Sequence, residues 1–382
     1  MPNSRSPFYN TEHEEFRDAL RRFVAREITP NVEAWEAAAG FPLELYRKAA
    51  AIGLLGLGFP QEYGGIEGDL FMSIVAAQEL ARCGAGGVVA SLMSHTIGCP
   101  PIVNVGSKAL KSKVLPPVLR GEKISALAIT EPSGGSDVAN LETTARRDGE
   151  HFVVNGSKMF ITSGVRADFY SVAVRTGGAG PGGVSLLLVE KGTPGFTQTP
   201  LQKMGWHSSD TAALFFSDCR VPAQNLIGQE NQGFSAVMLN FNRERIFLAA
   251  GANAFARVCL DEALAWSRQR KMFGGHLIDQ QVTRHKLADM AMRIEATQAM
   301  LEMLAWRVEQ GATPVGEICL LKNQATQTLA FCASEAVQLH GGMGYMRGVT
   351  VERIYREVKV NAIGGGAEEV MRDLAARQLG YC

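Results

Sequence analysis

At 382 residues the chain has room for two or three domains with sizeable cores, taking about 100–200 residues per domain. Its 38 Lys and Arg cancel its 38 Asp and Glu, so no charge footprint points to nucleic acid or to an anionic membrane surface. No stretch reaches the run of about 18 apolar residues that a membrane-spanning helix needs.

Seven cysteines (Cys83, Cys99, Cys219, Cys259, Cys319, Cys332 and Cys382) are scattered and never in C-x-x-C spacing, and no H-E-x-x-H occurs. That argues for reduced thiols and against a disulfide framework or a metal site. The N-terminal "MPNSRSPFYNTEHEEF" has no apolar signal core, so a cytoplasmic protein is expected.

Taken in order, the elements change texture twice. From about residue 10 to 124 the periodicity is helical: in "EEFRDALRRFVAREI", Phe16, Leu20, Phe23, Val24 and Ile28 recur at three- and four-residue steps. From 125 to 230 the chain reads as β. "HFVVNGSKMFIT" sets Asn155-Gly156 between two apolar runs, the pattern of a tight hairpin. "DFYSVAVRT", "GVSLLLVE" and "AALFFSDCRV" follow as short strands rich in branched and aromatic residues. From 231 to 382 long amphipathic helices return, two of them ending in glycine. The boundaries expected are therefore 1–124, 125–230 and 231–382, in the order helices, β unit, helical bundle.

"GAGPGG", residues 178–183, satisfies G-x-G-x-x-G but contains Pro181 and leads into a strand, where a dinucleotide fingerprint must open a helix. It reads as a hairpin loop. "AITEPSGGSDVANLETTA", residues 128–145, presents Thr130, Ser136 and bare backbone in a turn that suits phosphate oxygens or a planar ring, or is an ordinary Gly/Ser turn. In "GSKMFITSG", Phe160 and Thr162 share one face of a strand and either line a pocket or pack in the core. "RQRKMFGGHLIDQQ" sets Arg270 and Phe273 before a Gly-Gly break with Gln281 beyond, either a pyrophosphate clamp or a solvated arginine. "EAVQLHGGMGYMRG" ends a helix with Gln338 and His340, the histidine reading as structural. In "LNFNRERIFLAAG", Glu244 sits among Phe241, Ile246, Phe247 and Leu248. An apolar setting would raise its pKa toward that of a general base; the alternative is an exposed charge cluster.

These segments, in this order and over almost the entire chain, resemble the acyl-CoA dehydrogenase family of flavoproteins. "TEPSGGSD" is similar to the family's T-E-P-x-x-G-S-D, "KMFIT" to K-x-[WF]-I-T, "RKMFGG" to R-x-x-F-G, and "QLHGGMGY" to Q-x-x-G-G-x-G-[YF]. The resemblance implies an α+β, mostly α fold: an N-terminal helical domain, a central β-barrel or sandwich domain, and a C-terminal four-helix bundle. It also implies FAD, a homotetramer built as a dimer of dimers, an acyl-CoA substrate, and an electron-transfer flavoprotein as acceptor, as in fatty-acid β-oxidation.

Carried over, Thr130 and Ser136 would contact the flavin or its phosphates, with Phe160 and Thr162 beside the isoalloxazine ring. Arg270, Phe273, Gln281, Gln338 and Gly342 would hold the ADP half, partly from a neighbouring subunit. Many family members carry the catalytic glutamate in Y-E-G-T, where this chain has Gly364-Gly365-Gly366-Ala367. The isovaleryl-CoA and long-chain branches carry it instead in an E-R pair on an earlier helix, which makes Glu244 the base. Gly365 and Gly366 would leave room for the thioester, and Ala367 removes one cofactor hydrogen bond. The flavin ribityl hydroxyl and a backbone N–H near Glu369 would stabilise the enolate oxygen. Ser136, Ser209, Asp210, Asn242 and Arg245 would contact substrate, Arg245 anchoring the CoA, with His207 structural.

The reaction implied is removal of the α proton by Glu244 with hydride leaving for flavin N5, giving a trans-2-enoyl-CoA. Ser235, where the isovaleryl branch has a bulky aromatic, suggests a medium, long or branched acyl chain. Two other readings keep the fold: a flavin-dependent oxidase or monooxygenase, and a catalytically silent flavin-binding subunit.

Overall fold

Asn10 and His13 cap the first helix reciprocally: the Asn10 side chain accepts from the His13 N–H, and His13 Nδ1 accepts from the Asn10 N–H. In this computed structural model, which describes residues 6–381, helices fill the first third of the chain. They are α1 (Thr11–Phe23), α2 (Val32–Ala37), α3 (Glu44–Ala51), α4 (Leu70–Ala81), α5 (Gly86–Leu92), α6 (His95–Gly98), α7 (Pro100–Val105) and α8 (Lys108–Leu119). The inward stripe of α1 continues through a π turn over Val24–Ile28, so Leu20, Phe23, Val24 and Ile28 are all buried, as their spacing predicts.

The β unit is one seven-stranded sheet of β1 (Ser125–Ala128), β2 (Thr144–Asp148), β3 (His151–Thr162), β4 (Phe169–Arg175), β5 (Val184–Glu190), β6 (Phe196–Pro200) and β7 (Thr211–Pro222). The order is β1-β4-β2-β3-β7-β6, with β5 antiparallel on β4 and β1 parallel to it. β2 touches β4 through Thr144 and Arg175 alone, so the sheet curls at that joint. The loop 178–183 joins β4 to β5 as the hairpin connection expected.

Asn155-Gly156 is not a hairpin. β3 runs straight through it, because a twelve-residue strand finds partners along β7 on both sides, and the extra residue is absorbed as a bulge between Val154 and Gly156. The turn that reverses the chain is at Gly149, between β2 and β3.

The C-terminal region comprises α9 (Gly233–Gln269), α10 (Gln281–Glu309), α11 (Val315–His340), α12 (Thr350–Ile363) and α13 (Glu368–Gln378). Two main cores hold the chain together. One joins Leu20, Phe23 and Leu80 to Phe152, Tyr170 and Leu214 of the sheet. The other sets Leu70, Phe71 and Ile74 of α4 among Ile246, Leu287, Leu329 and Ile354 of the later helices. The N-terminal helices thus supply apolar faces to both sheet and bundle. Cys83, Cys99, Cys219, Cys259, Cys319 and Cys332 are free and buried, while Cys382 lies outside the described residues. Among the described residues no single helix is long and apolar enough to cross a membrane.

Candidate active site

The loop after β1 is stitched to β3 by a buried ion pair. Lys158 Nζ donates to Glu131 Oε1 at 2.7 Å and to the Ile129 carbonyl at 3.0 Å, and the Thr143 N–H donates to Glu131 Oε1 at 2.9 Å. Burial pushes the Lys158 ammonium down to about 8, against the opposing pull of Glu131. Burial alone would raise Glu131, but the Lys158 charge and its hydrogen bonds outweigh this and hold the carboxyl below its usual range. The Met159 N–H donates to the Thr130 carbonyl at 2.8 Å, which sets Thr130 beside the next feature of β3.

That feature is a second bulge. The register against β7 slips between Lys158 and Ile161, and Phe160 takes φ +63° and stands 66% exposed. An aromatic residue in the left-handed region costs about 1–3 kcal/mol, and here the strain leaves a bare ring pointing out of the sheet. Thr130 and Thr162 are half-buried beside it, and Ser136 is exposed on the same loop. The structure brings these four together.

Glu244 lies on α9 one turn before Leu248. Its side chain keeps some accessible surface, yet Oε2 is covered and meets no hydrogen-bond partner among the described residues. Burial pushes the carboxyl up to about 7, against the Arg245 guanidinium that would lower it. The glycine turn between α12 and α13 packs on this face of α9. Gly365 and Gly366 have φ +66° and +109°, where a side chain is strained. A Cβ on Gly365 would lie 2.4 Å from Leu248 Cδ1, so the bare backbone is what permits the approach.

The carbonyls of the turn point inward. Arg245 Nε donates to Gly365 O at 3.4 Å, and Lys322 Nζ donates to Ala362 O at 3.0 Å and Gly366 O at 2.7 Å. The N–H groups of residues 365–370, which include Ala367 and Glu369, meet no acceptor among the described residues. Unused amides beside a carboxylate of raised pKa can hold a carbonyl oxygen while the carboxylate takes a neighbouring proton.

Arg270, Phe273, Gln281, Gln338 and Gly342 collect elsewhere, at one end of the bundle. The antiparallel α10 and α11 are tied there by the Lys286–Glu335 ion pair, and Trp266 stacks on His340 at 5.1 Å. All five are exposed, Phe273 at 90% and with φ +45°. Along α9, Arg270 stands about 40 Å from Glu244 at the usual helical rise. Within one chain these residues therefore lie at the far end of α9 from Glu244. His340 is buried with Nδ1 paired to the Ala336 carbonyl at 2.7 Å, a structural role.

Comparison with known proteins matches three consecutive family descriptions: acyl-CoA dehydrogenase N-terminal domain at residues 10–122, middle domain at 126–219 and C-terminal domain at 231–380. The chain belongs to the acyl-CoA dehydrogenase family. The family is one of oxidoreductases. The mouse mitochondrial long-chain specific acyl-CoA dehydrogenase is 36% identical, over 97% of this chain and 87% of its own length. A crystal structure of a candidate acyl-CoA dehydrogenase from Mycobacterium smegmatis superposes with TM-score 0.96 at 47% identity, covering 98% of this chain and 100% of that one. A glutaryl-CoA dehydrogenase from the same organism, in complex with FADH2, superposes with TM-score 0.92 at 27% identity, covering 98% of this chain and 96% of that one.

In this acyl-CoA dehydrogenase family member several expected substrate contacts are engaged otherwise. Arg245 is buried, held by Gly365 O, by Asn242 Oδ1 at 3.4 Å and over the Phe241 ring, so it braces the glycine turn and is not free to anchor CoA. Asn242 gives its Oδ1 to this contact and stays half-buried. Ser209 is buried against Ser91, 2.8 Å between hydroxyls, and Asp210 pairs with Arg166 at 2.7 Å while capping the N–H groups of Val165 and Arg166. Both fasten the loop before β7 and offer no free group to a ligand. His207 is structural as expected, bonded to the Lys203 carbonyl at 3.1 Å.

Ser235 is exposed beside a surface depression with Gln232 and Leu239. Nine positions before Glu244, it points to the opposite side of α9. Its small size therefore says nothing about the acyl chain. The residues that the sequence reading passed over are Glu131, Lys158 and Lys322. The signal for the last two was a lysine at an inward position of an otherwise apolar strand or helix.

Proposed function

We propose that the protein is an FAD-dependent acyl-CoA dehydrogenase in which Glu244 removes the α proton of a saturated acyl-CoA thioester. One observation carries the reading: a covered, unpartnered carboxylate oxygen, its pKa raised to about 7, lies on the face of α9 against which a turn with unused amides packs. The free N–H groups at the start of α13 receive the thioester oxygen as negative charge builds on it, and donors fixed in a dry site are worth several kcal/mol there. The α C–H bond breaks with its proton going to Glu244 Oε2. Its electron pair forms the new double bond as hydride leaves the β carbon, and a trans-2-enoyl-CoA results.

The residues present fit FAD, with a strained, bare Phe160 beside the Thr130 and Thr162 hydroxyls and an exposed Phe273 beside Arg270. Bound FAD supplies the acceptor for the hydride. Thr130, Ser136, Phe160 and Thr162 would hold its flavin half, and Arg270, Phe273, Gln281, Gln338 and Gly342 of a second copy its ADP half, within a homotetramer. An electron-transfer flavoprotein is the proposed redox partner. The relative named long-chain specific favours a medium or long acyl chain, with a branched one as the other candidate. Anaerobic titration with acyl-CoAs of varied length and branching tests this. Wild type should bleach with its substrate, while Glu244→Gln should stay yellow and bleach more slowly by orders of magnitude. Equal bleaching of the two proteins would remove Glu244 from the chemistry, and peroxide formed without an added acceptor would make the protein an oxidase.

A further inference from the structure

Lys322 is 0% exposed in the interior of α11, and its ammonium has no carboxylate within ion-pair distance among the described residues. A buried cation with no carboxylate in contact is costly to keep: burial pushes the Lys322 ammonium down to about 8, with Glu368 and Glu369 near enough to oppose the shift and Arg245 adding to it. What it meets are two carbonyls, Ala362 O and Gly366 O, on either side of the glycine turn, and the Arg245 guanidinium takes the third, Gly365 O. The adjoining Asn323 side chain on α11 donates to the Glu368 carbonyl at 2.9 Å, one step further along. A peptide unit has two faces. Fixing the carbonyls inward fixes the amides outward, and residues 365–370 are where the N–H groups lie unused.

Resting on the function proposed above, we infer that Lys322 is a positioning residue for the reaction: it holds the 362–366 turn in the orientation that presents its amides to the thioester oxygen. Its charge also sits behind the peptide units that point at that oxygen, so their dipoles are aligned by a fixed cation. Replacing the ammonium with an apolar group of similar length leaves two half-buried carbonyls without this donor, and the turn can then rotate its amides away.

The test uses FAD-loaded Lys322→Met, Lys322→Gln and Lys322→Arg beside wild type. With the best acyl-CoA, the limiting rate of anaerobic bleaching should fall about a hundredfold in the Met and Gln variants, the half-saturating concentration should stay within about threefold, and Arg should recover at least about tenfold of the loss. A second readout involves no hydride transfer. A 3-oxoacyl-CoA, whose α proton is already acidic, is titrated on each protein, and its conversion to the enolate is followed by absorbance. The apparent pKa of the bound ligand should rise by about one to two units in Met and Gln and return in Arg, each unit being a tenfold loss of enolate stabilisation. If Met does not fold, Gln decides. A Gln or Met variant that bleaches like wild type, or titrates the 3-oxoacyl ligand identically, overturns the role of Lys322 while leaving the dehydrogenase reading intact. A wild-type protein that no acyl-CoA bleaches overturns both.

Discussion

Burial pushes the Glu244 carboxyl up to about 7, and that has two consequences of opposite sense. As the proposed base it must be deprotonated, so the rate of substrate-induced bleaching should rise with pH along a single limb near 7, measured by stopped flow across that range. A rate independent of pH between 5 and 8 would assign proton removal to another group. As a buried acid it holds its proton in the folded chain below about 7 but loses it near 4.5 when unfolded. The unfolded state then binds fewer protons, and stability falls as pH rises through that window. Glu244→Gln should therefore unfold at higher urea than wild type above pH 7 and at the same urea below pH 4.5, the converse of a salt-bridged carboxylate. The apolar neighbours of Glu244 left its burial open, an exposed charge cluster being the alternative, and it was the resemblance of its E-R pair that singled it out; the fold shows the carboxylate covered. Ser235, Ser209 and Asp210 were misread because a residue type does not give a direction. Ser235 lies half a turn round from the base, and Asp210 is consumed by an arginine and two amides that only the folded chain brings near it.

At the scale of elements, β3 carries both the clearest reading and the clearest error. Its apolar pattern and its "KMFIT" segment were visible, but Asn155-Gly156 looked like a turn because local preference is all that a single sequence supplies. Pairing with β7 over the full length of the strand outweighs a preference of that size and turns it into a bulge. The same ladder hides why Phe160 is bare, since a register slip is a property of two strands. What holds the slip in place is the Glu131–Lys158 pair, which clamps the loop of Thr130 to the bulge. Lys158→Met leaves the Glu131 carboxylate buried without its cation, and breaking such a pair costs about 3–5 kcal/mol. Urea unfolding should register that loss, and FAD should dissociate more readily because Thr130 and Phe160 are no longer held side by side. Glu131→Gln with Lys158→Met should recover part of the stability by removing the stranded charge. A single Lys158→Met variant as stable as wild type would mean that the loop is held by its main-chain bonds alone.

For the whole molecule, the three textures of the sequence are joined by ties that the sequence does not announce. Glu357 on α12 accepts from the Gly86 N–H at 2.8 Å and the Trp206 N–H at 3.2 Å, binding an N-terminal helix, a sheet loop and the bundle at one carboxyl. Arg353, one turn earlier, reaches Glu33 and the Gly84 carbonyl. With its parts fastened this way, the chain still leaves apolar surface outside. Met292, Met303 and Trp306 stand exposed on α10, opposite its buried Leu287, Ile294 and Leu301, and Leu320 stands exposed on α11. A helix that is apolar on its outer side as well buries that side against something. Arg270 lies about 40 Å from Glu244 along α9, and in the proposed tetramer a second copy brings the Arg270 group to the flavin residues. Assembly and FAD binding should therefore be a single equilibrium. Met303→Glu with Trp306→Glu places charges on the outer face of α10 without touching either group. In sedimentation velocity read at protein and flavin wavelengths together, wild type should run as one yellow tetramer. The double variant should run as smaller, colourless species, and added FAD should draw part of it back to the larger form. A smaller species that keeps a full complement of flavin would separate the two events and require that one chain hold FAD unaided.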